Sequence, residues 1–126
     1  MKKVNLSDAE WKIMNVLWEQ APRTMMQITN ALKAETGWTK HTVMSFLKRM
    51  EEKDALHYEE GEKAKLYYPD LKREEAALQE TEDFLERVFQ GRMGMMLNTM
   101  VQQRALSKED MEELHKILEQ AEGQDV

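Results

Sequence analysis

The chain contains no cysteine and no long apolar run. Without cysteine it can form neither disulfides nor Cys-based zinc or copper sites, and it has no thiol nucleophile. No apolar stretch approaches the roughly 18 residues that indicate a transmembrane helix. The N-terminal segment Met1–Ser7 has two lysines but lacks the apolar stretch of a secretory signal peptide. These absences predict a cytoplasmic protein that is not inserted in a membrane.

The sequence also lacks the motifs that mark common enzymes. It has no Gly-rich phosphate loop, no His-Glu-x-x-His zinc motif and no Gly-x-Ser-x-Gly nucleophile motif. Its three histidines, His41, His57 and His115, lie on different predicted elements and do not have metal-ligand spacing. We therefore expect a protein that is not an enzyme and that binds no metal and no cofactor.

Acidic residues are unevenly distributed along the 126-residue chain. Residues 1–70 carry 11 Lys/Arg and 11 Asp/Glu, whereas residues 71–126 carry 7 and 13, so the net charge of -6 belongs to the C-terminal part. The stretch from Trp38 to Met50 contains no acidic residue. Because salt screens charges over a Debye length of about 8 Å, a locally cationic face can bind nucleic acid despite the acidic total.

Capping motifs and apolar periodicity predict three N-terminal helices. Ser7–Glu10 and Thr24–Gln27 match the capping-box pattern at the starts of the first two helices. Gly37 is placed to end the second helix. Thr39 is a candidate cap for the third helix, which should end near Lys53.

Two short, aromatic-rich segments follow these helices. Leu56–Glu60 and Lys65–Pro69 are separated by a short linker that begins with Gly61, which predicts a β-hairpin. Three helices and a hairpin, in that order, are typical of a winged helix-turn-helix, in which the third helix enters the DNA major groove and the hairpin is the wing. The predicted fold is mainly α with a small β-hairpin, and residues 1–70 form its winged-helix DNA-binding domain.

Residues 71–126 predict a helical dimerisation domain. An apolar stripe should run from Ala77 to Val88, and Gly91 and Gly94 should interrupt the helix. Ser107–Asp110 matches a cap for a last helix. We expect that helix to bury Met111, Leu114, Ile117 and Leu118.

A methionine-rich segment lies in the middle of this domain. Thioethers suit Cu(I), but methionine more often fills irregular apolar contacts, so a dimer interface is the favoured interpretation. The candidate interface residues are Phe84, Val88, Met93, Met96, Leu97, Met100 and Val101.

The third predicted helix has one apolar face and one cationic, hydroxyl-rich face, a combination that the DNA major groove accepts. Residues in the first turns of such a helix reach base edges, and the candidates for base contact are Lys40, His41 and Ser45. Phosphate contacts fix register without specifying sequence. The candidates for phosphate contact are Thr24, Thr39, Thr42, Lys48, Arg49, Lys63 and Lys65.

Each of these assignments has an alternative. Arg49 could instead pair with Glu52 or Glu10, and Thr24 could serve only as a helix cap. The wing lysines lie among glutamates, so their contact with phosphate stays open. Trp38 is either a core residue or one that packs against the DNA backbone, and the whole face could be an ordinary solvated surface.

Several segments match one known family. They are Leu6–Trp18, Trp38–Val43, Leu47–Lys53 and Tyr67–Pro69, followed by the helical residues 71–126. In these segments the chain resembles the penicillinase-repressor (BlaI/MecI/CopY) family of bacterial transcription factors. The resemblance implies a homodimer whose winged helices bind operator half-sites and whose C-terminal helices associate. It also implies repression of a stress-induced gene, often in a β-lactamase or cell-wall operon.

The resemblance further implies ways of releasing the repressor. In the penicillin-responsive branch, a membrane sensor-protease triggers cleavage of an Asn-Phe bond in the dimerisation region. The matching position is Asn98-Thr99, where threonine replaces the aromatic residue. The copper-responsive branch senses metal through paired C-terminal cysteines, which this chain lacks.

These observations predict a sequence-specific transcriptional repressor that binds a palindromic DNA operator as a homodimer. Two alternatives stay open. One is a repressor controlled by a small ligand that binds between the C-terminal helices. The other is a winged helix that serves as a protein-interaction module.

Overall fold

The computed structural model describes residues 3–124. Their helices and strands are, in chain order, α1 Asp8–Glu19, α2 Met25–Thr36, α3 Lys40–Glu52, β1 Leu56–Glu60, β2 Lys65–Pro69, α4 Arg73–Phe89, α5 Met93–Gln102 and α6 Lys108–Gln124. Three helices and a two-stranded hairpin precede three further helices. The predicted mainly α architecture with a small β-hairpin is therefore confirmed.

The predicted caps start the first two helices. Ser7 and Glu10 form a reciprocal pair, in which each side chain accepts a hydrogen bond from the other residue's backbone amide. Thr24 and Gln27 do the same at the start of α2. Gly37 ends α2 with φ +68°, a left-handed conformation that glycine adopts without steric cost. These local signals fix where α2 ends and where α3 can begin.

The core lies where α1, α2, α3 and the hairpin meet. Its fully buried side chains recur every three or four residues along the helices, the spacing that places them on one face of each helix. The largest of them are Ile13, Met14, Leu17, Ile28, Val43, Leu47, Met50 and Leu56. Burial of this face holds α3 in place and leaves its opposite face in solvent.

A partly buried ion pair joins α1 to the residue that ends α3. Glu10 is 3% exposed, and its carboxylate accepts a hydrogen bond of 2.8 Å from Lys53 Nζ. Burial alone would raise the pKa of Glu10, but the hydrogen bonds from Lys53 and Ser7 outweigh it and hold the pKa below its ordinary value. Glu10 thus pairs with Lys53, so the alternative pairing of Arg49 with Glu10 is wrong.

The hairpin is antiparallel and carries an unpredicted addition. Leu56 lies opposite Pro69 at its base. Arg23, just before α2, exchanges backbone hydrogen bonds of 3.3 and 2.9 Å with Tyr67 on β2. The segment that leads into α2 is therefore fastened to the wing, which sets the position of the helix-turn-helix relative to the hairpin.

The chain divides into two compact units between Glu80 and Thr81, within α4. The first unit contains the winged helix, and the second contains the rest of α4 together with α5 and α6. The division between residues 70 and 71, at the end of the hairpin, remains a prediction about where the two functions separate.

Two predictions for the C-terminal helices are wrong. The break after α4 occurs at Gln90 and Gly91, which have φ +51° and +80°, whereas Gly94 lies inside α5. A glycine inside a helix costs only about 1 kcal/mol relative to alanine, so Gly94 need not end one. The apolar face of α6 is also not buried within the chain: Ile117 and Leu118 are more than half exposed. Helical periodicity predicted the apolar face of α6, but it could not predict which surface, if any, buries that face.

Candidate nucleic-acid interface

The exposed face of α3 carries the predicted base contacts. Lys40, His41 and Ser45 are all exposed and lie in the first two turns of the helix. The opposite face of α3 is buried in the core, so this face cannot rotate away from solvent. The structure thus brings the three candidates together on one accessible surface.

Local hydrogen bonds shape the start of this surface. The Thr39 hydroxyl caps α3 by accepting from the Thr42 amide at 3.3 Å, and the two threonine hydroxyls lie 3.3 Å apart. Ser45 donates its hydroxyl hydrogen to the His41 carbonyl at 3.1 Å. In this rotamer Ser45 offers a partner only acceptor lone pairs, which suit the amino groups of adenine or cytosine.

Arg49 lies over the ring of Phe46, which forms a tilted aromatic pair with Trp38. The Trp38 and Phe46 ring centroids lie 5.0 Å apart, and the Arg49 guanidinium carbon lies 5.1 Å from the Phe46 centroid. A cation–π contact does not use the guanidinium N–H groups as hydrogen-bond donors, so they can still donate to a phosphate. Trp38 is partly buried against the core, which favours the core interpretation of this residue.

The two lysines predicted to contact phosphate from the wing have different surroundings. Lys63 is exposed at the tip, whereas Lys65 Nζ lies 4.1 Å from the centroid of the Tyr58 ring. The neighbouring Tyr58 phenol raises the pKa of Lys65, so this lysine stays charged. A side chain at Gly61 would place its Cβ 2.6 Å from the Ala64 carbonyl oxygen, so the tight tip requires glycine.

A groove of about 610 Å³ separates α3 from the wing. The start of α2, the outer side of α3 and the hairpin supply its walls. Its lining residues are Thr24, Met25, Met26, Met44, Lys48, Glu51, Tyr58, Ala64, Lys65 and Tyr67. Three of the predicted phosphate contacts therefore border the same groove: Thr24 at the cap of α2, Lys48 on α3 and Lys65 on β2. Sequence reasoning did not single out its exposed methionines, because they become neighbours only in the folded chain.

The candidate dimer residues lie on α4 and α5. Phe84, Val88, Met93 and Val101 are 40–54% exposed. Met96, Leu97 and Met100 are partly buried within the chain. An apolar surface of this kind, left in solvent, is typical of a site of protein association.

The candidate cleavage position lies within an intact helix. Asn98 and Thr99 are exposed on α5, and the Thr99 hydroxyl donates to the Met95 carbonyl at 2.9 Å. A protease that cut here would first have to unwind this part of α5, because nicking prefers exposed loop tips.

Two further findings concern other kinds of site. Within residues 3–124, no three His, Asp or Glu side chains converge as a metal ion would require. No helix in that range is both long and apolar enough to cross a membrane.

The chain from residue 6 to residue 120 matches the family model of the penicillinase repressor. The chain belongs to the penicillinase repressor family. It is 27% identical to the penicillinase repressor of Bacillus licheniformis over 121 residues, which cover 95% of this chain and 94% of that protein. It is 23% identical to the methicillin resistance regulatory protein MecI of Mammaliicoccus sciuri over 117 residues, covering 93% and 95% of the two chains.

Solved structures agree with this membership. The solution structure of the DNA binding domain of the repressor BlaI matches with a TM-score of 0.52 and 27% sequence identity, covering 58% of this chain and 90% of that one. The Bacillus licheniformis BlaI monomer in complex with the blaP half-operator matches with the same values. The winged-helix prediction is confirmed. Family and fold together identify the chain as a DNA-binding transcriptional repressor.

Proposed function

We propose that this repressor acts as a homodimer on a palindromic operator, with one α3 in the major groove of each half-site. The observation that carries the proposal is the exposed cationic, hydroxyl-rich face of α3 in a fold that, in BlaI, was solved on a half-operator. A dimer that places two recognition helices on one face of DNA requires half-site centres about one helical turn apart, or a multiple of it.

Association through the C-terminal helices is supported by their exposed apolar side chains. Eight large hydrophobic residues beyond residue 80 are at least 40% exposed in the single chain. A second copy of the chain would remove this surface from water. The candidate interface from Phe84 to Val101 thereby supplies the cooperation between two half-sites that one winged helix lacks.

Each candidate contact receives a role in this arrangement. Lys40, His41 and Ser45 contact base edges, and Lys40 suits guanine O6 and N7. The remaining polar and cationic candidates hold phosphates and fix register. They are Thr24, Thr39, Thr42, Lys48, Arg49, Lys63 and Lys65.

The regulated gene is proposed from the family. The relatives are named for penicillinase and methicillin resistance, which supports an operon that responds to β-lactam or cell-wall stress. Release follows from any event that weakens the dimer. Cleavage at Asn98-Thr99, triggered by a membrane sensor-protease, is one such event, and it requires local unwinding of α5.

The test is a salt titration of binding between the purified protein and DNA from upstream of its own gene, with scrambled DNA as the control. We expect a preference of about 10³-fold or more for the upstream DNA. Arg49→Ala should flatten the salt slope by about one unit if Arg49 neutralises one phosphate, whereas Lys116→Ala on α6 should leave it unchanged. Equal, weak binding to both DNAs would overturn the proposal.

A further inference from the structure

Two methionines, one on the recognition helix α3 and one at the start of α2, have no role in the contacts proposed so far. Met26 and Met44 are 48% and 50% exposed, and both line the groove between α3 and the wing. Met14 and Met50, by contrast, are fully buried in the core. Apolar side chains left in water gain free energy when a partner covers them.

Met44 lies on the side of α3 that a DNA duplex would meet. It follows His41 by three residues and precedes Lys48 by four, spacings that place all three on neighbouring positions of the helix surface. If α3 enters the major groove with His41 facing base edges, Met44 enters beside it. The apolar wall of the groove is therefore continuous with the proposed DNA interface.

The charges around the groove indicate which partner fits it. Lys48 on α3 and Lys65 on β2 border its two sides, where they can hold phosphates. Glu51, a turn further along α3 than Lys48, would repel phosphate at the end of the groove near the helix C-terminus. A DNA strand thus fits beside the N-terminal half of α3, with its base edges toward Met44.

We propose that Met44 contacts the C5-methyl group of a thymine in the operator, with Met26 as part of the same apolar wall. This inference rests on the proposed function and adds a specificity residue to it. The thymine methyl is the apolar feature of the major groove, and the flexible thioether of methionine adapts to such contacts. The amino group of a cytosine here would lose its water without gaining a hydrogen bond, which disfavours that base.

The experiment removes only the methyl group. A duplex that the wild-type protein selects from a random pool is resynthesised with deoxyuridine in place of each thymine in turn. At one thymine per half-site, wild-type affinity should fall about fourfold, the ratio that corresponds to about 0.8 kcal/mol for one buried carbon group. Met44→Ala should bind that thymine and uracil equally.

A matched control is Met111→Ala, which removes another exposed methionine, in α6. It should keep the wild-type ratio of thymine to uracil affinity, because the ratio does not depend on how tightly two chains associate. Thermal unfolding of Met44→Ala should match that of the wild type, since the side chain is half exposed.

The outcomes separate this inference from the proposed function. A wild-type protein that selects a specific duplex but is indifferent to every uracil would overturn the thymine contact alone. A Met44→Ala variant that keeps the wild-type ratio would show that another residue contacts the methyl, and would also overturn it. Selection of no preferred duplex would overturn the proposed function, and the thymine contact with it.

Discussion

The two units of this chain treat their apolar residues in opposite ways. In the N-terminal unit, the apolar faces of α1, α2 and α3 meet and are fully buried, with Ile13, Ile28 and Val43 at 0% exposure. Between Thr81 and Gly123, by contrast, none of the described side chains is buried. A unit with its own core can fold alone, whereas an apolar surface without one requires a partner. The comparison supports the proposal that DNA contact and association belong to separate parts of the chain.

Charge also differs between the two parts of the chain, when they are divided at the end of the hairpin. Residues 1–70 are neutral overall, with an acid-free stretch that includes most of α3, whereas residues 71–126 carry a net charge of -6. The acidic helices α4–α6 should be repelled by DNA phosphates. This repulsion favours DNA contact through α3. Salt should weaken the contact of α3 with DNA and, by screening repulsion between two acidic regions, should strengthen their association.

The largest expected effect comes from placing a charge on the exposed apolar surface. Val101→Glu should convert a dimer into a monomer, because a buried, unpaired carboxylate is costly. Loss of the second half-site should lower affinity for a full operator by about 10² to 10⁴-fold. Sedimentation equilibrium and operator titration measure the two effects.

Gln102→Glu, at the adjacent exposed position of α5, is the control because it adds the same charge to a polar side chain. It should remain a dimer. If Val101→Glu also stayed dimeric with unchanged affinity, α5 would not belong to the interface.

A smaller effect is expected when the same substitution, isoleucine to alanine, is made in each of the two units and the free energies of unfolding are compared. Ile28→Ala removes a fully buried side chain and should cost about 2–5 kcal/mol of unfolding free energy at every protein concentration. Ile117→Ala removes a side chain that is 52% exposed in the single chain. Its cost should be lower and should appear only at concentrations where two chains associate.

Chemical denaturation at low and high protein concentration measures both variants. A cost for Ile117→Ala that did not change with concentration would mean that α6 is stabilised within one chain, and the contrast between the units would fail.

Local features of the fold could be predicted from the sequence because their causes lie within four residues. The reciprocal pair of Ser7 and Glu10 and the left-handed Gly37 depend only on nearby backbone groups. Helical periodicity likewise placed Lys40, His41 and Ser45 on one face. These residues share one side of the helix whatever the rest of the chain does.

The features that could not be predicted join residues far apart in the chain. The bridge between Arg23 and Tyr67 and the groove between α3 and the wing depend on how the elements pack. The predicted burial of Ile117 was wrong for a related reason. A period of 3.6 identifies an apolar face, but it does not show whether that face meets its own chain or another one.

The last and smallest effect concerns an ion pair that the sequence also did not reveal. Lys53→Met leaves the buried Glu10 carboxylate without its partner and should cost about 1–3 kcal/mol at pH 7. Lys12→Met, which breaks a surface pair with Glu35, should cost no more than about 0.5 kcal/mol. Urea unfolding of the three proteins gives both differences.

The pH dependence of this cost distinguishes an ion pair from lost packing. Because the folded-state pKa of Glu10 lies below its ordinary value of 4.5, the stability that it contributes is present above pH 4.5 and is lost as pH falls through the folded pKa. The gap between the wild type and Lys53→Met should therefore narrow in acid, as Glu10 becomes neutral in both. A gap that stayed constant from pH 7 into the acid range would show that the Lys53 stem, and not its charge, stabilises the end of α3.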